Sequence, residues 1–480
     1  MKNLDRRTFL KTSVIAATAY GLSPKSWAQT QGANGDIRYA VVGFNGRGKA
    51  HIADILKVKG ARIVALCDVD PAVLAREAQK LKDLGHPVKT YTDVRKLLES
   101  NEVDAISTAT PNHWHSLITI WGCQAGKDVY VEKPVSHNVW EGRKAVEAAR
   151  KYNRIVQSGT QNRSNTALQS AVAWVHAGNL GKVTLARGLC YKRRPSIGHV
   201  TGVQPIPEGL DYDLWTGPAE LEPLTRKSLH YDWHWVWNTG NGDIGNQGIH
   251  QMDIARWFLN EKQLSAHVMS VGGRVGYVDD ATTPNTQFVH HDYGHAALLF
   301  EVRGLPANAG TESMDTFLGA SVGNVIHCEG GFVVVSDGSI TAYDPSGLVL
   351  KKFEGRYLNH QENFVAAIRS RKSSELTADI DEGHVSSALC HLGNISHRLG
   401  QGMPQEEIRE KIKGNKASAD ACARMLQHLA ANKVDLTKSQ LIYGEPLTVD
   451  RKAERFVGNA KADAMLTRNY RAGYVVPEKV

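Results

Sequence analysis

One short segment constrains this chain more than any other. Ile37-Arg-Tyr-Ala-Val-Val42 is an apolar run of strand composition. It ends in Gly43-Phe-Asn45-Gly46-Arg47-Gly48, and Lys49 to Lys59 then places Ile52, Ile55 and Leu56 at helical spacing. Strand, glycine turn and helix in that order are the context a dinucleotide fingerprint requires. Gly43 permits the tight turn, Gly48 lets the helix pack close to the strand, and the helix N-terminus offers free N–H groups to a pyrophosphate. Asn45 stands where a second glycine is usual, with Gly46 beside it. Asn tolerates a positive φ, so the turn is expected to survive the exchange. Alone, the segment also fits an ordinary glycine turn.

The next strand sharpens the reading. Ala61-Arg-Ile-Val-Ala-Leu-Cys-Asp68 ends in an acid twenty positions after Gly48. A carboxylate there accepts hydrogen bonds from both ribose hydroxyls and repels a 2′-phosphate, which favours NAD over NADP. The alternative is an Asp that opens a turn before Pro71. Further βα units follow: strands at 103–110, 128–131 and 154–159, helices after Pro111 and over 140–152. Alternation of this kind predicts a parallel sheet with right-handed crossovers, whose ligands sit beyond the carboxyl ends of the strands. Gly43, Asp68, Thr110–Asn112 and Lys133 all fall on that edge.

The N-terminus reads as an address. Arg6-Arg7 precede Phe9-Leu10, an uncharged stretch runs from Thr12 to Leu22, and Ser26-Trp27-Ala28 supplies small residues for cleavage. Residues 1–28 are therefore expected to be a twin-arginine signal, which exports proteins already folded to the periplasm or beyond. A basic tail with an amphipathic helix is the rival. The segment carries a net +4 of the formal +8 of the 480-residue chain, so the excess base is no argument for a nucleic-acid partner. The six Cys are far apart and lack a Cys-x-x-Cys pair, so thiols are expected rather than a disulfide scaffold or zinc ribbon. No apolar run is long enough to span a membrane.

Gly43–Gly48, Thr110-Pro111-Asn112-His113-Trp114-His115, Glu132-Lys133-Pro134 and Gly248-Ile249-His250, with the final Tyr-Val-Val-Pro-Glu-Lys-Val, make the chain resemble an exported bacterial branch of the Gfo/Idh/MocA oxidoreductases, named for glucose–fructose oxidoreductase, inositol dehydrogenase and rhizopine catabolism. The resemblance implies an α/β architecture: a Rossmann domain over 35–160, a second α/β domain with an open, mostly antiparallel sheet over 161–400, and a C-terminal extension over 401–480 packing on the body. It implies tightly bound NAD held by Gly43, Asn45, Gly46, Arg47, Gly48, Asp68, Thr110, Asn112, His115, Glu132 and Lys133. It also implies a homo-oligomer, dimer or tetramer, assembled through the exposed face of the second sheet.

The chemistry follows the same edge. In the family the Lys of Glu-Lys-Pro is the catalytic acid/base. Partial burial lowers its pKa and lets it trade a proton with a sugar hydroxyl. Pro134 is a candidate for a cis peptide. The second locus runs from Asn238 to Asp253, a glycine-rich turn with a helix expected from Asp253 onward. His250 keeps the family's His position, while Asn246 replaces the usual Asp and cannot act as a base. Asp243 or Asp253 is left to supply the charge. Substrate contacts are expected from Asn246, Asp243, Tyr191, Arg193, His234 and Trp237. The basic stretch at 191–194 also reads as a solvated loop, and the Trp cluster as core packing. His113-x-His115 and His290-His291 come without a third ligand, so no metal is expected.

The expected function is oxidation or reduction of a sugar, sugar derivative or polyol by retained NAD. An exported enzyme has no soluble NAD pool, so the cofactor must be regenerated in place. The alternative is a redox-neutral, NAD-dependent glycosidase: oxidation of a sugar carbon, elimination, water addition and reduction. A non-catalytic sugar-binding protein is permitted by Asn45 and Asn246 and opposed by Lys133 and His250.

Overall fold

The computed structural model describes residues 35–480 except Asp337 and Ser439. The signal expected over residues 1–28 lies outside the described residues.

The N-terminal half-sandwich alternates strand and helix: β1 Ile37–Val42, α1 Gly48–Ile55, β2 Ala61–Cys67, α2 Pro71–Asp83, β3 Lys89–Tyr91, α3 Val94–Leu98, β4 Ala105–Thr108, α4 Asn112–Gln124, β5 Asp128–Val131, α5 Val139–Lys151 and β6 Val156–Ser158. The strands form one parallel sheet in the order β3-β2-β1-β4-β5-β6. Every residue of β4 and β5 is buried, as expected for strands covered on both faces. Helix starts carry their signals. Asp70 caps α2 ahead of Pro71, and Asn138 accepts from Glu141 N–H at the start of α5.

The rest builds a second sheet: α6 Thr166–His176, β7 Val183–Tyr191, α7 Tyr212–Thr216, α8 Gly242–Asn246, α9 Gly248–Leu259, β8 His267–Gly273, β9 Thr286–Asp292, β10 Ala297–Arg303, β11 Val322–Cys328, β12 Gly331–Ser336, β13 Ser339–Tyr343, β14 Val349–Phe353, α10 His360–Ser370, α11 Ile380–Leu399, β15 Gln401–Met403, α12 Gln405–Ile412, α13 Lys416–Ala431, β16 Leu441–Tyr443, β17 Leu447–Asp450, β18 Arg455–Phe456 and α14 Ala460–Ala464. The main order is β14-β13-β12-β11-β7-β10-β9-β8-β16-β15, with β7 and β10 the parallel pair. Its inner face, including Cys190, Phe300 and Val289, packs on Ile249 and Met252 of α9 and Leu389 of α11.

Two expectations change here. The outer face is not left open. Ile408 of α12 and Met425, Leu426 and Leu429 of α13 cover Phe288 and Leu299 of β9 and β10. The chain's own C-terminal segment thus occupies part of the surface on which the expectation of an oligomer rested. The helix expected from Asp253 begins earlier, at Gly248, after a helical turn over 242–246. Gly248 lies against the sheet: a Cβ there would sit 2.8 Å from Phe300. The glycines that read as a loop are close-approach positions within helix.

Candidate active site

The carboxyl ends of β1, β2, β4 and β5 open onto a cavity of about 370 Å³. The turn after β1 forms its floor. Gly43 has φ +74°, and a Cβ there would meet Thr110 at 2.8 Å; a Cβ on Gly48 would meet the Gly43 carbonyl at 2.1 Å. These two glycines are obligatory. Gly46 faces open space, and Asn45 does not adopt a positive φ, so the second glycine is dispensable for a simpler reason than Asn's tolerance of that region. Asp68, at the end of β2, lines the cavity while accepting Phe44 N–H at 3.0 Å and Asp70 N–H at 3.0 Å; burial raises its pKa.

Glu132 and Lys133 follow β5. The Glu132 carboxylate lines the cavity and is braced from several sides: Oε1 meets Arg47 Nε at 3.0 Å, His51 Nε2 at 3.0 Å and Gln161 Nε2 at 2.7 Å, and Oε2 accepts Lys133 N–H at 3.0 Å. Glu132 thereby fixes Lys133 and Arg47. His51, braced by Ser107 Oγ at 2.8 Å, belongs to this arrangement and escaped the sequence reading. His115 ties the β4 loop to the lysine, with Nε2 at 2.7 Å from Thr110 O and Nδ1 at 2.6 Å from Pro134 O. The Lys133–Pro134 peptide is cis. Asn112 Nδ2 donates to Asn241 Oδ1 at 2.9 Å and so joins this edge to the glycine-rich turn.

Lys133 Nζ donates to the Asn246 carbonyl at 2.8 Å, which brings the two sequence-predicted loci together. Burial lowers its pKa, opposed by Glu132 and Asp243. Asp243 is buried and held bidentately by Arg194, Nε–Oδ2 2.9 Å and Nη2–Oδ1 2.8 Å; Arg194 also donates to Tyr231 Oη at 3.0 Å. His250 stands in the first turn of α9. Its imidazole makes no hydrogen bond among the described residues, and burial with the Lys133 ammonium beside it holds its pKa at about 3. A neutral imidazole with free ring nitrogens is a hydrogen-bonding partner for a hydroxyl, not a cation.

Several assignments move. Tyr191 points to the outer face of the sheet, where its hydroxyl donates to Glu301 Oε2 at 2.7 Å. Arg193 lies off the cavity, its nearest carboxylate Glu312 at 3.7 Å, and the neighbouring Arg194 is the one turned toward Asp243. One residue of strand register separates the two faces. Trp237 is likewise off the cavity, under the Arg398 guanidinium at 5.2 Å; Tyr231, Trp233, His234 and Trp215 line it instead. Asp253 is not free to assist His250. It receives Arg163 Nε and Nη2, both at 2.8 Å, and Ser386 Oγ at 2.7 Å.

Buried neutral histidines set an acid limit. His113, His291 and His391 are each held at about 3, first of all by burial. Unfolding returns them to roughly 6.5, so below that pH the unfolded chain binds more protons and stability falls; above it their effect is flat. Calorimetry should show the melting temperature dropping between pH 7 and pH 5. A melting temperature that holds steady over that interval contradicts the assignment.

Two family models match end to end: "Oxidoreductase family, NAD-binding Rossmann fold" over residues 37–160 and "Oxidoreductase family, C-terminal alpha/beta domain" over 169–299. The chain belongs to the Gfo/Idh/MocA oxidoreductase family. Among curated relatives, a glycosyl hydrolase family 109 protein 2 of Shewanella sp. (strain ANA-3) is 31% identical over 163 residues, 29% of this chain and 36% of that protein. An inositol 2-dehydrogenase of Rubrobacter xylanophilus is 27% identical over 231 residues, 47% of this chain and 53% of that protein. The chain thus matches about a third to a half of these relatives' length. Among solved structures, the WlbA dehydrogenase from Bordetella pertussis in complex with NADH and UDP-GlcNAcA aligns with TM-score 0.54 at 20% identity, covering 74% of this chain and 94% of that one. Aldose-aldose oxidoreductase from Caulobacter crescentus, complexed with glycerol, aligns with TM-score 0.56 at 16% identity, covering 75% and 97%. At such identities the structural likeness speaks for the fold.

Proposed function

We propose that this Gfo/Idh/MocA protein is an exported oxidoreductase that acts on a sugar, sugar derivative or polyol with a tightly held NAD. The observation that carries the reading is Lys133, half-buried and bonded to the Asn246 carbonyl, at the carboxyl edge of the parallel sheet, with a His250 whose Nδ1 has no hydrogen-bond partner among the described residues. The residues present suit NAD: Gly43 and Gly48 leave room that a Cβ would fill, and the Asp68 carboxylate reaches the cavity where ribose hydroxyls belong. When bound, the nicotinamide accepts or returns hydride. Lys133 takes the hydroxyl proton as a carbon is oxidised and gives it back on reduction. His250 orients that hydroxyl, and Arg194 holds the Asp243 carboxylate in place.

Retention has support in the segment over 192–241. It crosses from β7 over the cavity and packs Trp215, Leu224 and Leu229 on Val69, with His230 Nε2 at 3.1 Å from Asp70. Protein denatured after purification without added cofactor should release close to one dinucleotide per chain. Stoichiometry near zero opposes the retained-cofactor reading. The glycosyl hydrolase family 109 relatives favour a second outcome at the same site. Oxidation of one carbon acidifies its neighbour's C–H, the aglycone leaves, water adds, and the carbon is reduced again with no net redox change.

A further inference from the structure

The crossing segment is held over the cavity from two sides. Leu214 and Trp215 of α7, with Tyr231 and Trp233 further along, line the cavity together with the turn after β1. On the Rossmann side, α4 grips the Trp215 carbonyl, which accepts from Trp114 Nε1 at 2.9 Å and lies 3.1 Å from His113 Nε2. α7 is only five residues long, too short to hold its shape and place alone.

The stretch over 466–480 supplies the second hold. It starts on one domain and runs onto the other. Leu466 packs in the core of the second domain, and its carbonyl accepts Trp140 N–H at 2.9 Å; Tyr474, Val476 and Val480 are buried in the core of the Rossmann domain. Between these anchors two arginines reach the crossing segment. Arg471 Nη1 donates to Asp213 O at 3.0 Å and to Gly217 O at 3.2 Å, and Nη2 pairs with the Asp213 carboxylate. Asp213 and Gly217 bracket the two α7 residues that line the cavity. Arg468 Nη1 donates to Asn238 O at 2.8 Å and Nη2 to Asn238 Oδ1, just before the turn that brings Asn246 to Lys133. Tyr474 joins the two holds, edge-on to Trp114 with ring centres 5.5 Å apart and under the Arg471 guanidinium at 5.3 Å.

Arg468 and Arg471 both stand off the cavity, so their bonds act on its cover and not on a ligand. A dinucleotide lying between the Rossmann edge and this cover leaves only when α7 moves off α4, and the bonds from Arg471 must break first. We propose, on the retained-NAD reading above, that the stretch over 466–480 is a strap that keeps the crossing segment shut and sets how slowly the dinucleotide leaves. Arg471 and Arg468 are its positioning residues.

The test follows exchange of the cofactor. Full-length protein carrying its dinucleotide is mixed with excess isotope-labelled NAD, and uptake of label is timed for wild type, Arg471→Ala, Asp213→Ala and Arg455→Ala. Arg471→Ala removes the carboxylate pair and both carbonyl bonds and should exchange about tenfold faster, the size of one set of charge-assisted hydrogen bonds. Asp213→Ala spares the carbonyl bonds and should exchange about threefold faster, because a carboxylate this exposed contributes little by itself. Arg455→Ala breaks a pair with Asp463 inside the same C-terminal extension and should match wild type. Melting temperatures are taken in parallel. Arg471→Ala exchanging at the wild-type rate, whatever its melting temperature, makes the contact purely structural and overturns the strap while retention stands. Equal acceleration in Arg455→Ala overturns the strap as well. Wild-type protein that holds no dinucleotide overturns both. If Arg471→Ala does not fold, Asp213→Ala decides, and exchange at the wild-type rate overturns the strap.

Discussion

Lys133→Met is expected to lower kcat by about 10²–10⁴-fold, the range a positioned acid/base contributes. The variant keeps Gly43, Gly48 and Asp68, so the dinucleotide content of the purified protein should be unchanged. The cause is specific. Sugar oxidation must shed a hydroxyl proton, and among the groups gathered here only Lys133 can take it near neutrality. Asp243 is saturated by Arg194, Asn246 has no basic group, and His250 protonates only near pH 3. Because burial lowers the Lys133 pKa, kcat/KM for oxidation should rise with pH through a value below that of an ordinary lysine. That limb should vanish in the variant. Activity and pH profile both matching wild type remove Lys133 from the chemistry.

Asp253→Ala should act on stability instead, costing about 3–5 kcal/mol, because it strips the carboxylate from two buried arginines. Arg163 is 5% exposed and Arg256 1%, and both converge on Asp253 and Glu382 between α9, α11 and the turn at 161–164. The expected result is a large drop in the urea midpoint with kcat per folded molecule preserved. Replacing Arg163 by Met together with Asp253 by Leu should recover part of the loss, since no charge then remains unpaired at that pair. A single variant as stable as wild type yet catalytically dead would return Asp253 to the active site.

The sequence shows clearly those features that local geometry dictates. The Gly43 and Gly48 requirements come from a turn that admits no Cβ. Glu-Lys-Pro brought Lys133 to the cleft because a parallel strand must end at the ligand edge. What stayed hidden depends on which face a residue turns to. Arg193 and Arg194 are indistinguishable until β7 is seen packed on α9. Trp233 and Trp237 differ only in how the short helical turn at 232–235 points them. Asp253 looked available because Arg163, its partner, is ninety residues away in sequence. Trp215 carried no signal at all: its role comes from a loop folding back across another domain. The cover of the outer sheet face by α12 and α13 is equally non-local.

The central claim is that a carbohydrate carbon exchanges hydride with a dinucleotide that never leaves this cleft. The direct measurement is the near-ultraviolet absorbance of the purified protein, with no cofactor added, during conversion of a carbohydrate or aryl glycoside. A rise is expected, lasting if oxidation is the net reaction and transient if an aglycone is released, and absent in Lys133→Met. Turnover with no absorbance change at any time, at millisecond resolution, contradicts the account.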